Sequence, residues 1–334
     1  MKPNIHDSGS KTKGKIVWLS VLQGLCMLLV VVDHIRLCQG QIMPWSAALN
    51  DVIESFLMPL FMFISGWLFY YTCIRKEKPY KEVVKSKFIR LGIPFFAFTI
   101  MATLVKLPLP FLMHRPVDSE ELVKTFLLYR SNPLKELWFV NTLFELMLLY
   151  PLYRACMKFR GGSLLAVAVS VLWFIYFPRD IYNFRINYVR WMVVYFTVGI
   201  VTARYAIIER INGWLPVVVC GVLFAFFYRN EFVNVRDDLA LAFSAIFFLV
   251  FLCKKAAEYC PSLFASFRDY TYQIFLMAIF FQMPVRWLFK WLHQDWLYMP
   301  LYFTSLLIGL YLPTLIAKLV QKKAPRWVKL CFGL

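Results

Sequence analysis

The sequence predicts an all-α, polytopic membrane helix bundle with about ten transmembrane helices, and three observations lead there. Of 334 residues, 60% are hydrophobic and only 17% are charged, with a mean hydropathy of +0.61. A water-soluble domain is nearer half apolar and about a quarter charged. Apolar runs long enough to cross roughly 30 Å of hydrocarbon recur along the whole chain. Between them stand short basic or turn-forming stretches, and no hydrophilic segment is long enough to fold as a separate soluble domain.

Hydropathy and turn residues set the expected spans at 16–38, 49–72, 91–113, 137–156, 163–178, 188–205, 213–228, 239–254, 271–292 and 299–320. The first follows a tail with four lysines and runs into "DHIRLCQGQ", not into a small-residue cleavage site, so it reads as a retained helix. Pro59 interrupts the second, whose Ser65-Gly66 pair permits close helix packing. The third starts after the basic loop "RKEKPYKEVVKSKFIRLGIP". Later spans are separated by the basic stretches 154–160, 204–210 and 254–268, and the last ends in the basic segment from Lys318. The expected organisation is a cytoplasmic tail over 1–15, a transmembrane domain over 16–320 and a second cytoplasmic tail over 321–334.

With the N-terminal tail inside, 24 of the 37 lysines and arginines fall on the inner side. This bias predicts a multi-pass protein of a bacterial inner (plasma) membrane with both termini cytoplasmic. The formal net charge of +18 then reads as topology and contact with anionic membrane lipids, not as a nucleic-acid footprint. Eight cysteines are scattered without CxxC spacing, which implies neither a disulfide framework nor a metal site.

Against this apolar background, "LQGLCMLLVVVDHIRL" carries Gln23, Asp33 and His34. Ionisable residues deep in a span are costly, and so are functional candidates. His34 lies 18 residues beyond Ile16, about 27 Å at the helical rise, towards the outer end of the first helix. Gln23 and His34 are eleven residues apart, which leaves them only about 20° apart around the helix and predicts a polar stripe. Asp33 points about 100° away from His34 on an ideal helix. The plainer alternative is an interfacial histidine beside a solvated aspartate. Glu54, near the outer end of the second span, either orients the imidazole or lies among the headgroups. Lys87 and Arg90 stand at i and i+3 at the inner surface, where they either clamp a cofactor's phosphates or serve as an inner-side topology signal.

These stretches together resemble the acyltransferase 3 family of integral membrane O-acyltransferases, including its fucose-4-O-acetylase-like branch. "QGLCMLLVVVDH" supplies the first-helix histidine, His34; "MPLFMFISGWLF" is similar to the second-helix motif; "KFIRLGIP" supplies the basic pair Lys87 and Arg90. "LWFVNTLFELMLLYPLY" and "YVRWMVVYFTVGI" resemble the family's Trp-Phe helix and its later aromatic-glycine span. Gln23 stands where the family usually has a basic residue, Lys87 replaces an arginine, and Leu57 and Ala278 stand where histidines are often found.

The resemblance implies transfer of an acyl group, commonly acetyl from acetyl-CoA or another acyl-CoA, to a hydroxyl of an envelope or exported glycan or a lipid-linked sugar. His34 is then the general base, Lys87 and Arg90 hold the donor phosphates, and Gln23 guides the donor's arm; no metal is called for. Trp138, Asn141 and Glu145 recur on one helix as cavity-lining candidates, although packing of Trp138 and a helix–helix hydrogen bond from Asn141 is the plainer account. Arg185 and Arg190 are candidates for an acidic acceptor, or ordinary interfacial arginines. The rival class is a non-enzymatic exporter or flippase of a polysaccharide or lipid-linked sugar.

Overall fold

The computed structural model describes residues 16–37, 43–106, 134–178, 186–230, 238–292 and 294–334. Tail residues 1–15, Cys38, Arg185 and the end of the third expected span lie outside them. Among the described residues every regular element is helical. In chain order the α-helices are α1 (Val17–Asp33), α2 (Pro44–Phe69), α3 (Tyr80–Lys87), α4 (Ile93–Lys106), α5 (Trp138–Leu148), α6 (Tyr150–Cys156) and α7 (Gly162–Tyr176). They continue as α8 (Ile186–Arg204), α9 (Ile207–Arg210), α10 (Leu215–Asn230), α11 (Leu239–Tyr259), α12 (Thr271–Leu292), α13 (Tyr298–Lys323) and α14 (Arg326–Cys331).

A helix lies on each of the ten expected spans, but five stretches are long and apolar enough to cross a membrane by length and composition. These are Pro44–Ile74, Tyr80–Val105, Leu239–Tyr259, Arg268–Leu292 and Asp295–Lys323. The others fall short for local reasons. α1 has 17 residues and stops at Asp33. The expected span 137–156 breaks at Leu149, one residue before α6 starts with Pro151 in its first turn, leaving an 11-residue and a 7-residue helix. α8 is long enough but carries Arg190 within its apolar run.

The centre of the bundle is the crossing of α2 and α8. A Cβ added at Gly66 would lie 2.0 Å from the Phe196 carbonyl oxygen, and one at Gly199 would lie 2.1 Å from that of Phe63. Two backbones therefore touch where the second-span Ser-Gly and the later aromatic-glycine motif meet, as small residues allow between apolar helices. α1 packs against α2, α11, α12 and α13, so it is enclosed on several sides. Large apolar side chains turn outward on α7, α10 and α13, with Leu164, Leu215 and Phe303 more than half exposed. Such a girdle is unfavourable in water and suits lipid.

Polar contacts gather at the two ends. At one, Arg154 pairs with Glu77 at 2.8 Å, the Tyr150 hydroxyl donates to the Lys78 carbonyl at 2.7 Å, and Lys254 caps the carbonyls of Ile208 and Ile211 at 2.7 and 2.8 Å. This basic end brings together four of the stretches whose charges predict the inner side. His34, Arg36, Glu54, Glu136 and Arg286 share the other end.

Candidate functional site

One face of α1 builds the site. Ile16, Leu19, Ser20, Gln23 and Met27 recur at helical spacing and line a cavity of about 490 Å³. α2 contributes Phe61, Ser65 and Phe69, the turn after it gives Thr72, and α5 adds Phe139, Val140, Leu143 and Met147. Lys87 and Arg90 line the same cavity, as do Arg268, Asp269 and Tyr272. The candidates Gln23, Lys87 and Arg90 are thus brought together, although they are far apart in sequence.

The basic pair owes its position to local winding. α3 ends at Lys87, and Phe88–Gly92 forms a π-helical turn into α4, so Arg90 sits on a widened coil. Such turns interrupt the regular ladder and often occur at functional positions. Lys87 is half-buried with its ammonium 5.6 Å from the centre of the Phe69 ring, while Arg90 is exposed. Arg268 is fixed by hydrogen bonds from its guanidinium to the carbonyls of Pro261 and Leu263 at 2.7 and 2.9 Å. The Tyr272 hydroxyl is buried beside this cavity with no hydrogen-bond partner among the described residues. A buried hydroxyl left unpaired is costly, so this one is available to a ligand.

His34 is not among the cavity's lining residues. It is the residue that closes α1, seven positions beyond Met27, or about 10 Å along the helix. Its Nδ1 lies 2.7 Å from the Val30 carbonyl oxygen. A carbonyl only accepts, so in the neutral ring Nδ1 carries the proton and Nε2 keeps its lone pair. Glu136 Oε1 stands 3.9 Å from Nε2, and Asp33 Oδ2 stands 3.8 Å from Nδ1. Glu54 takes an ion pair with Arg36, which also bonds Asp33 Oδ1 at 3.1 Å. The carboxylate on the free nitrogen is therefore Glu136, and Glu54 acts on Arg36.

The remaining candidates take different positions. Trp138 stacks on Tyr188 and Trp191 with ring centres 4.5 and 5.9 Å apart, joining α5 to α8. Asn141 donates to Glu145 Oε1 at 2.6 Å within α5, whose cavity face is instead Phe139, Val140, Leu143 and Met147. Arg190 is buried over the Phe174 ring at 5.2 Å. Sequence reasoning missed Glu136, Arg268, Tyr272 and Arg286. The available signal was their position: a charge just before an apolar run in "KELWF" and "FRDYTYQ", and an arginine inside one in "MPVRWLF".

A multi-helical membrane bundle around a cavity with a basic mouth is the form of an enzyme or carrier for an anionic ligand with an apolar portion. A family model described as an acyltransferase domain matches residues 16–318. The chain belongs to the acyltransferase 3 family and is a membrane acyltransferase. No curated protein and no solved structure matches it.

Proposed function

We propose that the protein transfers an acyl group, acetyl in the simplest case, from an acyl-CoA to a hydroxyl of an envelope glycan or lipid-linked sugar in a bacterial inner membrane. The observation that carries this reading is the shared cavity of Gln23, Lys87, Arg90 and Arg268, which runs along the helix that ends in His34. Anionic donor phosphates suit the basic mouth. The neutral arm suits the apolar lining, with Gln23 and Tyr272 offering hydrogen bonds to its amides or acyl carbonyl. This end is then the cytoplasmic one, and both termini face it.

The chemistry follows from the imidazole. His34 Nε2 accepts the proton of the acceptor hydroxyl while that oxygen bonds to the thioester carbonyl carbon. Collapse of the tetrahedral intermediate breaks the C–S bond, and the thiolate leaves as the free thiol after taking the proton from the imidazolium. Glu136 lies where it stabilises the transient imidazolium, and Asp33 supports the Nδ1 side.

The test is transfer of label from [14C]acetyl-CoA into the glycan fraction of inverted membrane vesicles. His34→Ala at matched membrane level should lower the rate by about 10²–10⁴-fold, the usual contribution of a general base. Normal transfer by this variant removes His34 from the chemistry. Glycan movement across vesicles without acylation puts the transporter reading ahead.

A further inference from the structure

α1 stops without the usual means. Val30 to Leu37 holds no glycine, and no residue there adopts a positive φ. A left-handed residue past the helix end commonly allows the last free carbonyls to be tied up. Here the Val30 carbonyl keeps its helical bond, and each carbonyl from Val31 to His34 has a donor by another route. The Val30 oxygen receives the His34 backbone N–H at 3.1 Å and Nδ1–H at 2.7 Å. Ile35 N–H reaches the Val32 oxygen at 3.0 Å, and Arg36 Nε–H reaches the Asp33 oxygen at 3.1 Å.

The two remaining carbonyls are served from α12. Gln282 Nε2 donates to the Val31 oxygen at 2.9 Å, and the Arg286 guanidinium donates to the carbonyl of His34 itself. The two donors are four residues apart and share one face of α12. Gly309 of α13 leaves the room: a Cβ there would come within 2.8 Å of Val31 Cγ1 and 3.1 Å of Gln282 Nε2. Gln282 is wholly buried. A buried amide and an arginine are expensive inside an apolar helix, and here both are directed at the last turn of α1.

We infer that Gln282 and Arg286 are positioning residues for His34, a two-point clamp from α12 that fixes the end of α1 and so aims Nε2 towards Glu136. The inference rests on His34 being the base of the proposed reaction. The Arg286 bond acts on the peptide that carries the imidazole, and the Gln282 bond holds the peptide three residues earlier. Losing either lets the turn re-form around other donors and swings the ring. A displacement of this kind, about 1 Å at a reacting group, costs on the order of 10²-fold in rate without weakening donor binding.

The test uses the full chain in inverted vesicles with [14C]acetyl-CoA, together with diethyl pyrocarbonate labelling of His34 read by mass spectrometry. Arg286→Met should lower the maximal rate by about 10²-fold with the KM for acetyl-CoA unchanged, and Arg286→Lys should restore most of it. The labelling rate of His34 should rise in Arg286→Met, because the ring is no longer held. Gln282→Leu should show the same pattern more weakly, and it carries the test if Arg286→Met fails to insert. Unchanged rate and unchanged labelling in inserted Arg286→Met or Gln282→Leu overturn the clamp. So does a rise in KM with the maximal rate kept. His34→Ala separates the two ideas: if it is inactive while Arg286→Met is fully active, the clamp alone fails. If His34→Ala is active, the base assignment fails, and the labelling rate still judges the clamp.

Discussion

Replacing Lys87 and Arg90 together by glutamine removes two positive charges from the mouth of the cavity and little of its shape. Lys87 is half-buried against Phe69, so its bond to a phosphate forms in a partly dry setting and is worth about 1.5 kcal/mol. Arg90 is exposed, and solvent screening limits it to about 1 kcal/mol. Together they predict a loss of about 2.5 kcal/mol, or roughly 70-fold in Kd for acetyl-CoA. Raising the salt should shrink the gap between variant and wild type, because added ions screen the charge–phosphate attraction that only the wild type has. Equilibrium binding of radiolabelled acetyl-CoA to purified protein measures both effects. Unchanged affinity, or a loss that does not depend on salt, would refute a phosphate-binding role and return the pair to topology.

Two further outcomes test the frame around the site. Gly199→Ala places a methyl 2.1 Å from a backbone oxygen, so α2 and α8 must separate by more than 1 Å; overpacking of this kind costs about 1–3 kcal/mol and should lower the melting temperature in detergent. Gly221→Ala, whose methyl would meet only the Phe248 ring at 3.1 Å, should cost less, and equal losses would mean that the crossing is not tight. A cysteine at Lys81 should react with an impermeant maleimide only after cells are opened, whereas one at Trp296 should react in intact cells; the reverse pattern would invert the orientation.

The bundle was legible because its signal is repeated. Apolar runs recur, and proline or charge clusters separate one from the next, so helices fall on the expected spans among the described residues, five of them long and apolar enough to cross a membrane. Boundaries were less legible where a span is broken by local chemistry, as at Leu149–Pro151, since hydropathy averages across a break. The polar stripe from Gln23 towards His34 was readable as an angle, yet the cavity follows it only as far as Met27. Asp33 lies 3.8 Å from the His34 ring although successive helical residues point about 100° apart, because neighbouring side chains reach each other across that angle. Glu136, Arg268 and Arg286 were missed for another reason: each acts at the site through a contact with a residue more than a hundred positions away or through a loop, which no local period reports.

If the donor is the proposed acyl-CoA, the distribution of polarity along α1 sets which part of it each end accepts. Lys87, Arg90 and Arg268 line the cavity with Asp269, α1 places Met27 one helical turn past Gln23, and the apolar lining includes Phe61, Phe139 and Phe275. A phosphate carried past Gln23 would lose its hydration without gaining a cation, at a cost of several kcal/mol. A neutral thioester arm meets no such barrier. In the proposed reaction the charged head stays at the mouth while the acyl group covers the roughly 16 Å from Gln23 to His34, which is eleven residues of helix. A headless donor makes the division measurable. S-acetyl-pantetheine lacks the phosphates, so it should serve as a poor donor whose affinity is the same in wild type and in the Lys87→Gln, Arg90→Gln variant. If the variant weakens this donor as much as it weakens acetyl-CoA, the two side chains act through the fold of the α3–α4 turn and not through the phosphates.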